Sequence, residues 1–355
     1  MLTIGRYAIT DRAWVAPMAG VTDRPFRQLC KRLGASYAVS EMAASNPRLW
    51  HSVKTARRID HEGEAEPKAV QIAGADPTTM AEAARFNVDR GAQIIDINMG
   101  CPAKKVCNVA AGSALMGDEA LAIRIIEAVV GAVDVPVTLK MRTGPSVTER
   151  NAPRLARAAQ QAGVAMVAVH ARSRACRFHG TVDWNAVADV REAIDIPLVA
   201  NGDIDSPARA RAVLDATGAD AVMIGRAAQG RPWIFREIDH YLGTGELLPA
   251  PRLQDIGRWL HEHLLDHYRF YGEHVGVRTA RKHIGWYLDG LARAASGDAP
   301  SDAVADERSA QARAALRDAI NRIDSPDAQL ALVDAFFDNI EQATQACQVI
   351  EGAVP

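Results

Sequence analysis

Short apolar runs recur along the first two thirds of the chain and alternate with alanine-rich stretches of helical period. Continuous rather than alternating hydrophobicity is typical of strands that are buried on both faces of a parallel sheet. The runs predict eight strands, at Trp14–Met18, Tyr37–Met42, Ala69–Ala73, Ile94–Met99, Val135–Met141, Met166–His170, Leu198–Ala200 and Ala221–Ile224. Predicted helices between them include Thr79–Asp89, Leu121–Val130, Arg154–Ala162 and Pro207–Ala216.

This alternation predicts an α/β fold, a (β/α)8 TIM barrel. An open doubly wound sheet is the alternative. Eight units within roughly 240 residues, and no glycine-rich fingerprint after the first strand, favour the closed barrel. Gly91, Gly163 and Gly218 follow predicted helices. We expect these glycines to end the helices in the left-handed conformation.

A second domain is predicted after the barrel. The composition changes at the proline-containing segment 247–251, and no strand pattern follows it. We therefore expect residues 1–247 to form a catalytic barrel and residues 248–355 a smaller C-terminal α-helical domain. The amphipathic stretches are Leu253–Tyr271, Val277–Leu288, Ser309–Ile323 and Ala328–Ala346, and Ala294–Asp306 is predicted to be a loose loop.

Composition excludes several classes of protein. The chain has 355 residues, a formal net charge of −2, and no apolar run long enough for a membrane span. Its N-terminus lacks the apolar core of a signal peptide. Five scattered cysteines suggest a reducing cytoplasm, and no CxxC or His-rich spacing predicts a metal site. A nucleic-acid partner would require a local basic patch.

Polar residues follow almost every predicted strand. Catalytic residues of such barrels lie at the C-terminal ends of the strands, so these positions predict a polar pocket above an apolar barrel. In order they are Met18, Glu41, Gln71, Asn98, Lys140 with Arg142, His170 with Arg172, Asn201 with Asp203, and Gly225 with Arg226.

The last two strand ends indicate a phosphate site. Asn201-Gly202-Asp203 follows the seventh strand, and Gly225-Arg226 follows the eighth and is predicted to open a helix. These are the loops at which this fold binds phosphate, although two ordinary glycine turns are the alternative. Lys140 and Gln71 in the same pocket suit a flavin, because positive charge near its N1 edge stabilises the reduced form.

A thiol follows the fourth strand, in the turn Asn98-Met99-Gly100-Cys101-Pro102. Gly100 permits a tight turn and Pro102 fixes the chain direction after Cys101. A free thiol is largely protonated near neutral pH and can act as a general acid. The alternative is an inert turn cysteine.

Several motifs together carry a resemblance. The chain resembles the tRNA-dihydrouridine synthases, particularly the bacterial DusB-type branch, over residues 1–290. The motifs are APMAGVTD from Ala16, SEM from Ser40, QIAG from Gln71, INMGCPAKKV from Ile97, LKMRTG from Leu139, ANGDI from Ala200 and MIGRAAQGRPWIF from Met223.

The resemblance implies an enzyme that uses FMN and NADPH to reduce uridine to dihydrouridine in the D-loop of tRNA, with position 17 as the suggested target. It places the proton donor on Cys101, the contact with the uracil edge on Asn98, and His170 near the flavin. A monomer without bound metal is expected. The implied FMN contacts are Pro17, Met18, Ala19, Gln71, Lys140, Asn201, Gly202, Asp203, Gly225 and Arg226.

Cationic residues form the expected tRNA surface. Arg278, Arg281 and Lys282 share one face of a predicted helix beside His283, although a solvated charged face is the alternative. A second group is expected around the pocket mouth and consists of Lys104, Lys105, Arg172, Arg174 and Arg177.

Two rival functions remain open from the residues. A flavin barrel oxidoreductase acting on a free pyrimidine or another small molecule would explain the barrel and the phosphate site, but not a basic helical domain. A non-enzymatic RNA-binding protein that kept the fold would bind no flavin.

Overall fold

A computed structural model describes residues 2–293 and 307–351. The strands in this part of the chain are β1 (Leu2–Ile4), β2 (Tyr7–Ile9), β3 (Ala13–Val15), β4 (Ala43–Ala44), β5 (Ala69–Ala73), β6 (Ile94–Met99), β7 (Val137–Arg142), β8 (Met166–His170), β9 (Leu198–Asn201) and β10 (Ala221–Ile224). The helices are α1 (Arg24–Arg32), α2 (Val53–Ile59), α3 (Pro77–Val88), α4 (Lys104–Cys107), α5 (Glu119–Val130), α6 (Ala152–Gln161), α7 (Asn185–Ala193), α8 (Pro207–Thr217), α9 (Ile234–Thr244), α10 (Leu253–Tyr271), α11 (Glu273–Arg293), α12 (Glu307–Arg322) and α13 (Pro326–Glu351).

Eight parallel strands form the central sheet, in the order β3-β10-β9-β8-β7-β6-β5-β4. The ring closes through two isolated bridges, Val15 to Ala38 and Val39 to Ala69. The prediction of a TIM barrel is confirmed. The second strand is shorter and more broken than the predicted Tyr37–Met42, because its pairing consists of these bridges and the two residues of β4.

An antiparallel hairpin of β1 and β2 precedes the barrel and was not predicted from the sequence. Ile4 and Ile9, at most 1% exposed, join a core cluster with Trp14, Ile94 and Met223 from the barrel strands. These apolar contacts close the end of the barrel opposite the polar strand ends.

Side-chain caps explain where several helices begin. Asp76 accepts a hydrogen bond from the Thr79 N–H before α3, and Ser206 accepts one from the Arg209 N–H before α8, each with proline at the next position. Gly218 ends α8 at φ 63°, and Gly91 and Gly163 also have positive φ, as the sequence predicted. These caps fix the lengths of the loops that carry the site.

The described chain divides into two compact units. The first contains residues 1–228 and 233–247, and the second contains residues 229–232 and the segment from Leu248 onward. The described helices of the second unit are α10–α13, and the predicted loop Ala294–Asp306 lies outside the described residues. None of the described helices is long and apolar enough to cross a bilayer.

Candidate active site

Strand register brings the predicted polar residues side by side. Asn98 on β6 is paired in register with Lys140 on β7, and His170 on β8 is paired with Asn201 on β9. Gln71 on β5 lies opposite Asp96 on β6. The central predicted residues therefore lie on consecutive strands. We take these residues together as one candidate site.

A chain of buried hydrogen bonds begins at Asp96, which is 2% exposed. Its two carboxylate oxygens accept from Thr138 Oγ1 and Gln71 Nε2, each at 2.6 Å. Gln71 Oε1 in turn accepts from Asn98 Nδ2 at 2.7 Å. Burial raises the pKa of Asp96 to about 6, so the carboxylate is charged at neutral pH and anchors the amides that follow it.

Asn98 holds the turn that carries Cys101. Its Oδ1 accepts from the Gly100 N–H at 3.2 Å and the Cys101 N–H at 3.0 Å. Since this oxygen already accepts two hydrogen bonds, the contact with the uracil edge that the resemblance places on Asn98 would use its amide nitrogen. One amide N–H of Asn98 is left for such a contact.

The Cys101 thiol lies half-buried on this turn. The backbone carbonyl of Cys101 accepts a hydrogen bond from Ser113 Oγ at 2.9 Å. Burial raises the pKa of Cys101 above its usual value. The thiol therefore keeps its proton at neutral pH, which suits a general acid rather than a nucleophile.

Arg142 links the Cys101 turn to the loop after β8. This guanidinium, 1% exposed, donates to the Gly100 carbonyl at 2.6 Å and to the Ser173 and Arg177 carbonyls. Phe178 lies beside it, with the Arg142 guanidinium 5.3 Å from the ring centroid. The side chain of Phe178 is 53% exposed and contacts His170 edge to face.

Lys140 is a buried cation in the centre of the site. Its Nζ donates to Asn201 Oδ1 at 3.0 Å, and Asn201 Nδ2 donates to the Met223 carbonyl at 2.7 Å. Burial and the charge of Arg142 lower the pKa of Lys140 to about 8. An anionic group beside Lys140 would stabilise its charged form.

His170 stays neutral in this environment. Burial and the charges of Lys140 and Arg142 lower the pKa of His170 to about 2. Its Nδ1 is buried without a hydrogen-bond partner among the described residues. A buried ring nitrogen of this kind, beside the Lys140 cation, could form a hydrogen bond with a bound polar ring system.

The predicted phosphate loops adopt unusual backbone conformations. Gly202 has φ 138° and Asp203 has φ 41°, in the left-handed region. Gly225 lies near Met18, whose sulfur would be 3.6 Å from a Cβ at position 225. Arg226 begins a short helical turn, residues 226–228, at the position where the sequence predicted the start of a helix. Any phosphate contact here would come from loop amides and side chains.

Asp203 joins two arginines at this position. Arg226, 63% exposed, donates to it at 2.7 Å, and Arg172 forms the second ion pair. Arg172 is only 4% exposed and also donates to the Gly180 carbonyl. Arg172 is therefore a buried side chain that holds the Asp203 loop, and its part in the expected tRNA surface around the pocket mouth stays a prediction.

The first loop of the barrel is held by its own hydrogen bonds. The Met18 carbonyl accepts from the Val21 and Thr22 N–H groups, each at 3.0 Å, while the Gly20 N–H donates to Glu41 at 2.8 Å. Pro17 and Met18 are partly buried, and Ala19 is exposed.

The other predicted cations are less uniform. Arg278 and Lys282 are exposed on α11, whereas Arg281 pairs with Asp324 at 3.2 Å. Arg174 is partly buried and Arg177 is exposed. The side chains of Lys104 and Lys105 lie outside the described part of the structure.

Sequence reasoning gave no role to Asp96, Thr138, Ser113 or Phe178. Asp96 had a usable signal, since it interrupts an apolar strand and a buried carboxylate requires partners. Phe178 had no such signal, because the sequence does not show whether a single aromatic residue in a polar loop is exposed.

Comparison with known proteins identifies the family. The family model described as dihydrouridine synthase matches residues 14–340. This chain belongs to the dihydrouridine synthase family. A Pseudomonas aeruginosa protein named tRNA-dihydrouridine synthase B is 55% identical over 337 residues, covering 95% of this chain and 96% of that protein. A protein of the same name from Xanthomonas axonopodis pv. citri is 56% identical with the same coverage.

A solved structure supports the fold. A point mutant of morphinone reductase, in complex with tetrahydroNAD, has a TM-score of 0.50 and 14% identity, and the match covers 70% of this chain and 92% of that chain. Membership in the dihydrouridine synthase family at this coverage makes the chain an oxidoreductase that reduces uridine in tRNA to dihydrouridine.

Proposed function

We propose that this dihydrouridine synthase reduces a D-loop uridine of tRNA with FMN as cofactor, NADPH as reductant and Cys101 as proton donor. The observation that carries the proposal is that adjacent barrel strands position the Cys101 thiol and the Lys140 cation. Asn98, which holds the Cys101 turn, lies in register with Lys140 on the adjacent strand.

The site residues suit FMN. Lys140 is a desolvated cation bonded to a neutral amide, and the neutral His170 has a buried, unpartnered ring nitrogen. Lys140, Asn201 and Gln71 would hold the flavin ring, and the loops of Gly202 and Gly225, with Arg226, would hold the phosphate. When bound, FMN supplies the hydride that reaches C6 of uracil.

The protein's own contribution is to position and protonate the base. Pyrimidine reduction also needs a proton at C5, and the protonated Cys101 thiol supplies it as general acid. Asn98 and Arg142 fix the thiol because they hold the peptide unit between Gly100 and Cys101. Asn98 accepts from its N–H group, and Arg142 donates to its carbonyl. The remaining N–H of Asn98 would donate to a uracil carbonyl.

Two features support binding of a nucleotide. The exposed ring of Phe178 offers a surface on which a base that has left its stack can lie. The exposed cations Arg278 and Lys282 on α11 are suited to backbone phosphates. We propose position 17 as the target, as the DusB-type resemblance implies, and the cytoplasm as the site of action.

Dihydrouridine mapping tests the proposal directly. Purified protein, reconstituted with FMN and NADPH, is incubated with tRNA that lacks dihydrouridine, and each modified position is then mapped. We expect modification at position 17, and no reaction of free uridine under the same conditions. Modification elsewhere would correct the target, and turnover without added or bound flavin would overturn the cofactor assignment.

A further inference from the structure

Three buried histidines in the second unit form a cluster that the proposed reaction does not use. His263 and His267 lie one turn apart on α10, and His283 lies on α11, which follows α10 after Gly272. Each of the three is 1% exposed. Their ring centroids lie 4.8 Å apart for His263 and His283, 5.1 Å for His267 and His283, and 6.1 Å for His263 and His267.

We propose that these three histidines bind one divalent transition-metal ion of the zinc class. One ring nitrogen from each residue lies within 4.8 Å of those of the other two. Two nitrogens on a tetrahedral zinc ion, at about 2.0–2.1 Å from the metal, are roughly 3.4 Å apart. Binding therefore requires the ring nitrogens to approach one another by at most about 1.4 Å.

Thr279 fixes the tautomer of His267. The Thr279 hydroxyl donates its proton to the Val275 carbonyl at 2.8 Å, so it accepts from His267 Nε2, also at 2.8 Å. Nε2 of His267 therefore carries the proton, and the lone pair lies on Nδ1. A hydrogen bond to the second ring nitrogen is the usual support of a metal-binding histidine.

The surroundings keep His267 and His283 neutral, as a metal ligand must be. Burial lowers the pKa of His267 to about 2 and that of His283 well below its usual value. Lys282 is the neighbouring cation that contributes to these shifts, and it would also oppose a bound cation from the exposed side of α11. Two aromatic rings pack around the cluster, Tyr271 on His267 and Trp286 on His283.

Ligand type selects the metal. Imidazole suits zinc, cobalt, nickel and copper, whereas magnesium and calcium prefer carboxylate and carbonyl oxygen. Neither an acidic residue nor a cysteine joins this group among the described residues. A purely apolar core would avoid the cost of burying three polar rings, and one ion is a ligand that all three can share.

The test uses the full-length protein after chelator treatment, with Co²⁺ as a spectroscopic probe that Zn²⁺ then displaces. We expect one Co²⁺ per chain, with a visible spectrum of nitrogen and oxygen ligation. A thiolate charge-transfer band would instead place the ion on a cysteine and overturn the proposal. Absence of stoichiometric binding would overturn it as well.

Variants locate the ion. His263→Gln and His283→Gln should each abolish stoichiometric Co²⁺ binding, while His274→Gln, an exposed histidine of α11, should bind like wild type. Thr279→Val should weaken binding by about 10–100-fold, the usual effect of losing such a support. Unchanged binding in the His283 variant would overturn the site.

Two measurements remain decisive if a histidine variant does not fold. Zn²⁺ should raise the unfolding temperature of the wild type by mass action, and to a lesser degree that of Thr279→Val. X-ray absorption of the zinc-loaded wild type should show imidazole scattering without sulfur. Sulfur ligation, or no thermal shift, would contradict the proposal.

Discussion

At the scale of single residues, Cys101 separates the two halves of the reaction. Cys101→Ala should leave flavin reduction by NADPH nearly intact, because that step needs no proton at uracil C5. Reoxidation of the flavin by tRNA should slow by about 10²–10⁴-fold, the usual contribution of a positioned general acid. Stopped-flow flavin absorbance measures both rates.

Cys107→Ser is the matched control. The Cys107 thiol donates to the Cys101 carbonyl at 3.5 Å, and a serine hydroxyl keeps that donor. We expect rates close to wild type. Equal losses of both halves in Cys101→Ala would indicate a structural role for the thiol, and an unaffected tRNA half-reaction would remove Cys101 from the mechanism.

Lys140 should give flavin binding a pH dependence. Its pKa is lowered to about 8, so it is charged below pH 8 and loses its proton above it. A flavin ring that accepts a hydrogen bond from Lys140 favours its charged form, so the affinity for FMN should be constant below about pH 8 and fall as the pH rises above it. Fluorescence titration of apoprotein checks this. Lys140→Met should bind more weakly and show no such fall, and an identical pH profile in both proteins would exclude Lys140.

Phe178 should contribute to substrate binding rather than to flavin reduction. Phe178→Ala should lower kcat/KM for tRNA by about 5–150-fold, the equivalent of about 1–3 kcal/mol for one base stacked on an aromatic ring. Phe178→Tyr should retain most of the activity because it keeps the ring. Steady-state kinetics with tRNA gives the ratio, and an equal loss in the rate of NADPH oxidation without tRNA would contradict the stacking role.

At the scale of helices and strands, buried barrel strands could be predicted well, whereas the broken second strand and the short N-terminal hairpin could not. Strands β5, β6, β8 and β10 coincide with the predicted ranges, because each is a short, mainly apolar run that is clearly bounded in the sequence. The second barrel strand was predicted too long, since apolar residues at 37–42 do not reveal where pairing breaks. The three-residue strands of the N-terminal hairpin are too short for any periodic signal.

The site shows the same division. Positions at strand ends could be predicted, because the fold places them at one end of the barrel. The hydrogen-bond partners of these residues could not be predicted, because they depend on the directions of the side chains. Examples are the ion pair of Asp203 with Arg172 and the hydrogen bonds of Asn98 to the Cys101 turn. The His263–His267 spacing was visible in the sequence, but its third member lies on the next helix.

Helix α11 allows a test of the tRNA surface. Changing Arg278 and Lys282 to glutamine should weaken tRNA binding and reduce the slope of log K against log salt by about 1.4–1.8 if both bind phosphate. Arg281→Gln should have a smaller effect, because Asp324 already pairs with that charge. Filter binding at several salt concentrations measures the slope.

Two exposed cations on outer barrel helices provide the control for this pair. Arg124→Gln with Arg209→Gln removes the same formal charge from α5 and α8. We expect nearly unchanged affinity for tRNA. Equal weakening by both double variants would indicate a response to net charge and would remove α11 as the docking surface.

At the scale of the whole molecule, the N-terminal hairpin contributes to the stability of the barrel. Ile9→Ala should lower the free energy of unfolding by about 2–5 kcal/mol, as expected for a large side chain truncated in a packed core. Val53→Ala, at a side chain 68% exposed, should change it by less than about 0.5 kcal/mol. Denaturant titration compares them, and equal effects would show that the hairpin does not stabilise the core.

The closed end of the barrel also has a consequence for synthesis on the ribosome. Ile4 leaves the exit tunnel long before Met223, yet the two side chains belong to one core cluster. The N-terminal hairpin cannot reach its final packing until the last strand has been translated, and such distant contacts slow folding. The growing chain therefore exposes an incomplete apolar sheet for most of translation, which is the period in which we expect it to depend on chaperones.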